Sequence, residues 1–335
     1  MLPLIPLILG ISSIAAVLTG GKKALDAKRD FAQADDYNSR ARNIYGEATD
    51  RLDEARKSTN RTLEQLGRRK AETYETGFMP FVDCASKIKN LDFDEAVSDK
   101  VSIPCSEAEF IEFKELALQV SSILAGGAAA LGGGALAGFG ALGGVGFLAT
   151  ASTGTAIASL SGVAATNATL AWFGGGSLAA GGLGMSVGAA VVGGVFVAPI
   201  IAVGGMLLAS KAKEAHSEAY SNLKKAEVAA ESLRTACVAA KAIWKRAKEI
   251  YGIISQLQPL FGNSVAVVKY LVSKDTDYRN YSRSDKEEVC RCFSLAKTTK
   301  NILEVPVFDE NGTVTQRSKD VLKATREFLS EIARI

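Results

Sequence analysis

The sequence predicts an all-α membrane protein, and three observations carry that expectation. The 95 residues from Leu116 to Ser210 contain no Asp, Glu, Lys, Arg or His. All 39 basic and 36 acidic residues of the 335-residue chain therefore lie outside that run. The first 21 residues, MLPLIPLILGISSIAAVLTGG, are also uncharged, and Lys22, Lys23, Lys28 and Arg29 follow them. The net charge of +3 implies no strong overall field, so the segregation of charge is more informative than its sum.

Three kinds of structure compete for the long run. Disordered linkers are usually polar, rich in Ser, Gln, Lys or Glu. Here the glycines alternate with Ala, Leu, Val, Ile and Phe. A dinucleotide-binding α/β domain needs a strand before its Gly-rich loop and an acidic residue about 20 positions later. The run has no acidic residue, and no Lys follows Gly174-Gly175-Gly176 within it to complete a Walker loop. Membrane-embedded helices remain. A span needs roughly 20 apolar residues, because 1.5 Å per residue has to cross about 30 Å of hydrocarbon. Ile123–Ala149 and Met185–Ala209 supply two such lengths, the second with Pro199 as an expected kink.

Glycine weakens a helix in water but lets two helices approach closely in lipid. Gly134/Gly138, Gly140/Gly144 and Gly184/Gly188 have the GxxxG spacing, so they are the expected packing contacts of a hairpin. Its far end, Thr150 to Trp172, is rich in hydroxyls and amides. Ser152, Thr153, Thr155, Ser159, Ser161, Thr166, Asn167 and Thr169 either form a connecting loop or line a water path, since such groups solvate ions without holding them tightly.

A secretory signal peptide carries its positive charge before the apolar stretch. Here the charge comes after it, which places the N-terminus outside and the next segment in the cytoplasm. The expected division is an N-terminal membrane helix at 1–21, a cytoplasmic helical lobe at 22–115, a Gly-rich transmembrane hairpin at 116–210 and a second cytoplasmic lobe at 211–335.

The charged lobes read as helical. Ala24 to Glu75 has no Pro and few Gly, enough for one long or two shorter helices. Ser106 with Glu109 is a capping-box pattern. The helix it opens is expected to run through Phe110, Phe113 and Leu116 directly into the first span. Ala212 to Gln258 reads as a long helix packed antiparallel to the first. Further helices are expected at Val265–Val272, at Lys286–Leu303, and after a Ser318 cap from Lys319 to Ile335. Asn311-Gly312 between two β-type runs predicts a short β-hairpin near 303–316.

Catalytic chemistry is poorly supplied, and no enzyme, cofactor or metal is expected. The one histidine, His216, lies in a helical surface pattern, and Cys290 and Cys292 are too close for a CxxC clamp. The five cysteines read as free thiols. One stretch suits an anionic partner. Between Lys269 and Lys286, Tyr278 and Tyr281 alternate with Lys274, Arg279, Arg283 and Lys286, a mixture that fits single-stranded nucleic acid or a nucleotide. Asp275, Asp277 and Asp285 dilute it, and a polar inter-helix loop is the plainer reading.

The segment ASTGTAIASLSGVAATNATLAWFGGGSLAAGG between long charged helices, with VPVFDENGTVTQRSKDVL downstream, resembles a family of Gly/Ala-rich bacterial membrane effectors of anti-phage defence, of the Hailong channel type. The resemblance is one of layout, and no binding residue carries over. It implies a channel in the bacterial inner membrane whose cytoplasmic part binds a DNA signal. The expected function is then a homo-oligomeric channel or pore-forming effector, since three spans cannot enclose a water path alone. Its expected partners are the lipid bilayer, further copies of itself, and a nucleotide or single-stranded nucleic acid signal. The alternatives are a non-conducting membrane scaffold and a soluble protein that hides its apolar hairpin between long helices and inserts it on demand, as α-helical pore-forming toxins do.

Overall fold

The computed structural model describes residues 21–92, 105–124, 133–142, 212–309 and 312–334. These residues form seven α-helices: α1 (Gly21–Thr73), α2 (Met79–Ala85), α3 (Glu107–Ile123), α4 (Gly133–Leu142), α5 (Ala212–Lys274), α6 (Arg283–Glu304) and α7 (Gln316–Ile332). A π-helical turn, Tyr74–Phe78, joins α1 to α2, and a 3-10 turn, Tyr278–Asn280, precedes α6. Contacts divide the chain into two units, one of Met1–Asp50 with Pro199–Leu233 and one of Arg51–Ala198 with Arg234–Ile335.

In the first unit, α1 and α5 pair through small residues. Ala41, Leu223 and Ala226 are buried, with Tyr37, Ile44 and Tyr45 packed against them. Tyr37 meets His216 and Tyr220 edge to face, at ring separations of 5.4 and 5.6 Å. His216 is thus an aromatic neighbour within a helix pair.

The second unit holds the main core. Phe81 is fully buried and meets the rings of Phe78, Phe110, Phe113, Phe261 and Phe293 at separations of 5.0 to 6.4 Å. These rings come from the π-turn and from α2, α3, α5 and α6, so one cluster ties five elements together. Edge-to-face pairs of this kind add about 0.5–1.5 kcal/mol each beyond their buried area.

The direction of α1 against α5 corrects the expected antiparallel pair. The Cys237 thiol reaches the Arg51 carbonyl at 3.8 Å, and the Thr59 hydroxyl donates to the Ala240 carbonyl at 3.1 Å. Arg69 bonds Tyr251 at 3.2 Å and Gln258 at 2.8 Å. Both numbers rise together, so the helices run parallel. Sequence pattern marks which face of a helix is apolar but not which way its partner points.

The membrane fold is corrected as well. Among the described residues no helix is long and apolar enough to cross a membrane. α3 does not run on into a span: it ends at Ile123, and Leu124 leaves the helix at φ −92°, ψ 15°. Of the first expected span, Ile123, Leu124 and the ten residues of α4 are described, and α4 is about 15 Å of helix against about 30 Å of hydrocarbon. Its described side chains face protein, with Leu136 and Phe139 fully buried. All but Gly21 of the N-terminal apolar helix expected at 1–21, and the second span at Met185–Ala209, lie outside the described residues.

Local signals fared better. Ser106 and Glu109 form the reciprocal capping box. Ser106→Ala is expected to lower stability by about 1 kcal/mol in urea denaturation. Ser121→Ala, which removes a hydroxyl bonded to the Leu118 carbonyl within the same helix, should change it much less. α5 continues through Pro259 to Lys274 and absorbs the helix expected at Val265–Val272. The last helix starts earlier than expected, because Thr315, not Ser318, is its cap: the Ser318 amide donates to the Thr315 hydroxyl at 3.1 Å. The β-hairpin reduces to one isolated antiparallel bridge, Phe308 with Val314, and no strand forms among the described residues. Gly312 turns the chain there with φ 73°, a value that favours glycine.

Candidate functional site: the crossing of α1 and α4

The site lies where α4, one of the two described pieces of the charge-free run beside Leu116–Leu124, meets the C-terminal half of α1. Leu63, Gly67, Lys70 and Tyr74 follow each other at helical intervals and form one buried stripe. α4 lies across it with Leu136, Phe139 and Gly140. The backbones touch: a methyl group on Gly67 would overlap the Leu136 carbonyl, and one on Gly140 would overlap the Leu63 carbonyl and come within 2.8 Å of the Gly67 nitrogen. Neither helix leaves room for a side chain at its crossing residue.

Two further contacts hold α4. The rings of Tyr74 and Phe139 pack edge to face at 6.0 Å. On the other side, the Val307 amide donates to the Ala141 carbonyl at 2.7 Å. That carbonyl belongs to the last turn of α4, where no intrahelical partner exists. The connector supplying Val307 is fixed in turn, since the Thr315 amide donates to the Val307 carbonyl at 3.2 Å and the Thr315 hydroxyl to the Pro306 carbonyl at 2.6 Å.

Beneath this dock lies a polar group with little to satisfy it. Lys70 is fully buried, and its one hydrogen bond given by the structure is a long one, 3.4 Å to the Val305 carbonyl. Burial lowers its pKa from 10.5 to about 7, partly opposed by the carboxylate of Glu304. Burial also pushes the Tyr74 phenol well above 10, with Glu304 adding to the rise. The Tyr74 hydroxyl has no hydrogen-bond partner among the described residues. Burial raises Glu304 itself, against the pull of Lys300 and Arg317. Lys300 lies 3.7 Å from Glu304 and 2.9 Å from Glu112. The chemistry this arrangement offers is proton uptake: near neutral pH the amine shifts from neutral to charged, with the Glu304 carboxylate favouring the charged form.

The predicted site residues divide among several places. Gly134, Gly138 and Gly140 lie in α4. Among the described residues Gly140 makes a close helix crossing with Leu63 and Gly67 of α1. Gly144, Gly184 and Gly188, and the tip residues Ser152, Thr153, Thr155, Ser159, Ser161, Thr166, Asn167 and Thr169, lie outside the described residues. In the anion stretch, Tyr278 and Tyr281 are buried and pack on each other at 5.7 Å, so their rings serve the core. The Tyr281 hydroxyl donates to the Asp275 carbonyl at 2.8 Å. Arg279 forks onto Asp277 at 3.0 and 2.6 Å and holds that carboxyl well below its ordinary range. Arg283 reaches Glu287 at 3.2 Å. Lys286 lies 5.0 Å over the Tyr278 ring, and Lys274 lies 4.2 Å over Tyr270. The stretch is a pinned junction: the Lys89 amide donates to the Thr276 carbonyl at 2.7 Å, and the Tyr278 amide to the Lys89 carbonyl at 3.0 Å. Among the described residues no group of His, Cys, Asp and Glu could hold a metal ion.

No family model, no curated protein and no solved structure matches the chain. The functional reading therefore rests on the site itself.

Proposed function

We propose that the protein is a helical-bundle effector that stores its charge-free run against its own core and delivers it to a lipid surface when the dock opens. This is the conditional form of an α-helical pore-forming protein, in which the apolar segment is folded away until needed. The observation that carries it is the seating of α4 on α1 through the Gly67–Gly140 crossing. A run of 95 uncharged residues exposed to water would aggregate, so some surface has to cover it. The dock covers one piece of it with contacts that are close but few. Burying Leu136 and Phe139 contributes about 1.5–3 kcal/mol each, a sum that a partner or a change of charge could overcome.

A reversible lock tests the proposal. Ala141 and Val307 are neighbours across a 2.7 Å backbone hydrogen bond, close enough for a disulfide. The pair Ala141→Cys and Val307→Cys, with the new bond confirmed by peptide mass mapping, should leave dye-loaded vesicles intact while oxidised and release their contents after reduction. Equal leakage in both states, or none in either, would overturn the reading.

A further inference from the structure

A one-signed basic surface outside the dock lies on α5. From Ser232 to Lys248 that helix has no acidic residue but carries Arg234, Lys241, Lys245, Arg246 and Lys248. Arg234, Val238, Lys241, Lys245 and Lys248 are spaced by four, three, four and three residues, which puts them on one stripe about 21 Å long. All five are exposed, Val238 to 69%. Trp244 borders the stripe, half-buried, with the Lys248 ammonium 4.3 Å over its ring. Arg246 lies at its edge in an ion pair with Glu249 at 3.4 Å. The opposite face of the helix is core: Ala240, Ile243, Ala247 and Ile250 are buried, and Ala240 accepts the Thr59 hydroxyl of α1. The nearest acidic residues along α5, Glu231 and Glu249, fall at the two ends of the stripe.

Lysine repulsion along a helix is unfavourable unless something neutralises it, and an anionic surface does so. We infer that this stripe docks the bundle onto anionic lipid headgroups. The inference deepens the proposed function, names the lipid class, and rests on that reading for the presence of a bilayer. Three features favour headgroups over a polynucleotide. The stripe is straight and suits a plane. Its one large ring, Trp244, is partly buried and capped by Lys248, so it offers no open face to a base, while an indole suits a membrane interface. An exposed Val at its centre gains by entering an interface and gains nothing on a phosphate backbone. Long lysine stems lie along such a surface with their ammonium groups in the headgroup layer. Each basic residue near an anionic leaflet strengthens binding about fivefold, and salt screens the effect.

The test uses the full chain and vesicles of phosphatidylcholine, with or without phosphatidylserine. Binding should require phosphatidylserine and weaken with added salt. Lys241→Gln, Lys245→Gln and Lys248→Gln together should lower the partition coefficient on the order of a hundredfold. The same charge change on exposed residues of α7, Lys319→Gln, Lys323→Gln and Arg326→Gln, should have little effect. In a Trp172→Phe background the remaining tryptophan, Trp244, should shift its emission to the blue on phosphatidylserine vesicles. Binding that ignores phosphatidylserine, or equal losses in the two triple variants, would overturn the inference. So would an α5 triple that keeps vesicle binding but loses a fluorescent oligothymidylate. The oxidised 141–307 lock separates this inference from the delivery reading. Locked protein should still bind phosphatidylserine vesicles without leakage, and binding that survives when reduction gives no leakage would leave the docking face standing and remove delivery.

Discussion

Gly67→Ala should destabilise the second unit by about 3 kcal/mol or more, while Gly46→Ala in the same helix should stabilise the protein by up to about 1 kcal/mol. Alanine is the better helix former at both positions, so propensity alone predicts two gains. The difference is the neighbour. A methyl on Gly46 meets nothing within 4 Å, whereas a methyl on Gly67 overlaps the Leu136 carbonyl. Backbone cannot rotate away as a side chain can, so α4 has to lift. Lifting it uncovers Leu136 and Phe139, each worth about 1.5–3 kcal/mol of burial. Hydrogen exchange of the α4 amides should rise in Gly67→Ala and stay unchanged in Gly46→Ala. Gly140→Ala should act like Gly67→Ala, and the double variant should lose less than the two singles combined, because a helix already displaced is not displaced twice. Neutral Gly67→Ala, or strictly additive effects, would remove the crossing from the account.

The same glycines show how far the sequence could be read. The GxxxG spacing marked α4 as a close-packing helix, and Gly140 is one. The partner was illegible because the spacing says nothing about which helix arrives. A clue existed in Gly67, a lone glycine within the charged stretch EQLGRRK, where it weakens a helix by about 1 kcal/mol without a contact to offset it. The Ser106–Glu109 capping box was legible, since the two residues act on atoms three residues apart, whereas the last helix is capped by Thr315 and not by Ser318. The direction of α5 was not legible, since it depends on the path of the chain between two helices. Tyr278 and Tyr281 misled for a related reason. Tyrosines among arginines and aspartates suggest a binding surface, but here the aspartates cap and pair within the junction and the rings turn inward. Lys70 was the least visible residue of all. It follows Arg68 and Arg69 in a helix whose other described basic residues, mostly arginines, are largely exposed, and only the fold places it under α4.

That buried lysine carries the last prediction. Lys70→Met should make the protein more stable by about 2–4 kcal/mol at pH 6 and should abolish the pH dependence of stability between about pH 6 and 8.5. The native amine has its pKa near 7 while the unfolded one has 10.5, so above pH 7 the unfolded chain binds more protons. Stability then rises with pH through this window, and the penalty is complete once the pH falls below about 7. For the unmodified chain the linkage amounts to about 2 kcal/mol between pH 6 and 8.5. The window closes on the alkaline side, where the raised thiol pKa values of Cys84, Cys105 and Cys292 and the raised phenol of Tyr74 begin to act in the opposite sense. Methionine keeps the length of the stem and removes the proton site. Arginine keeps the charge at every pH and should therefore destabilise by several kcal/mol, most visibly as fast exchange in α4. Opposite signs for the two substitutions separate buried charge from lost packing, because both variants fill the space of the original stem. If Lys70→Met is destabilising, or leaves the slope between pH 6 and 8.5 intact, the buried amine is not the group that sets the pH dependence of stability, and Glu304 becomes the next group to replace.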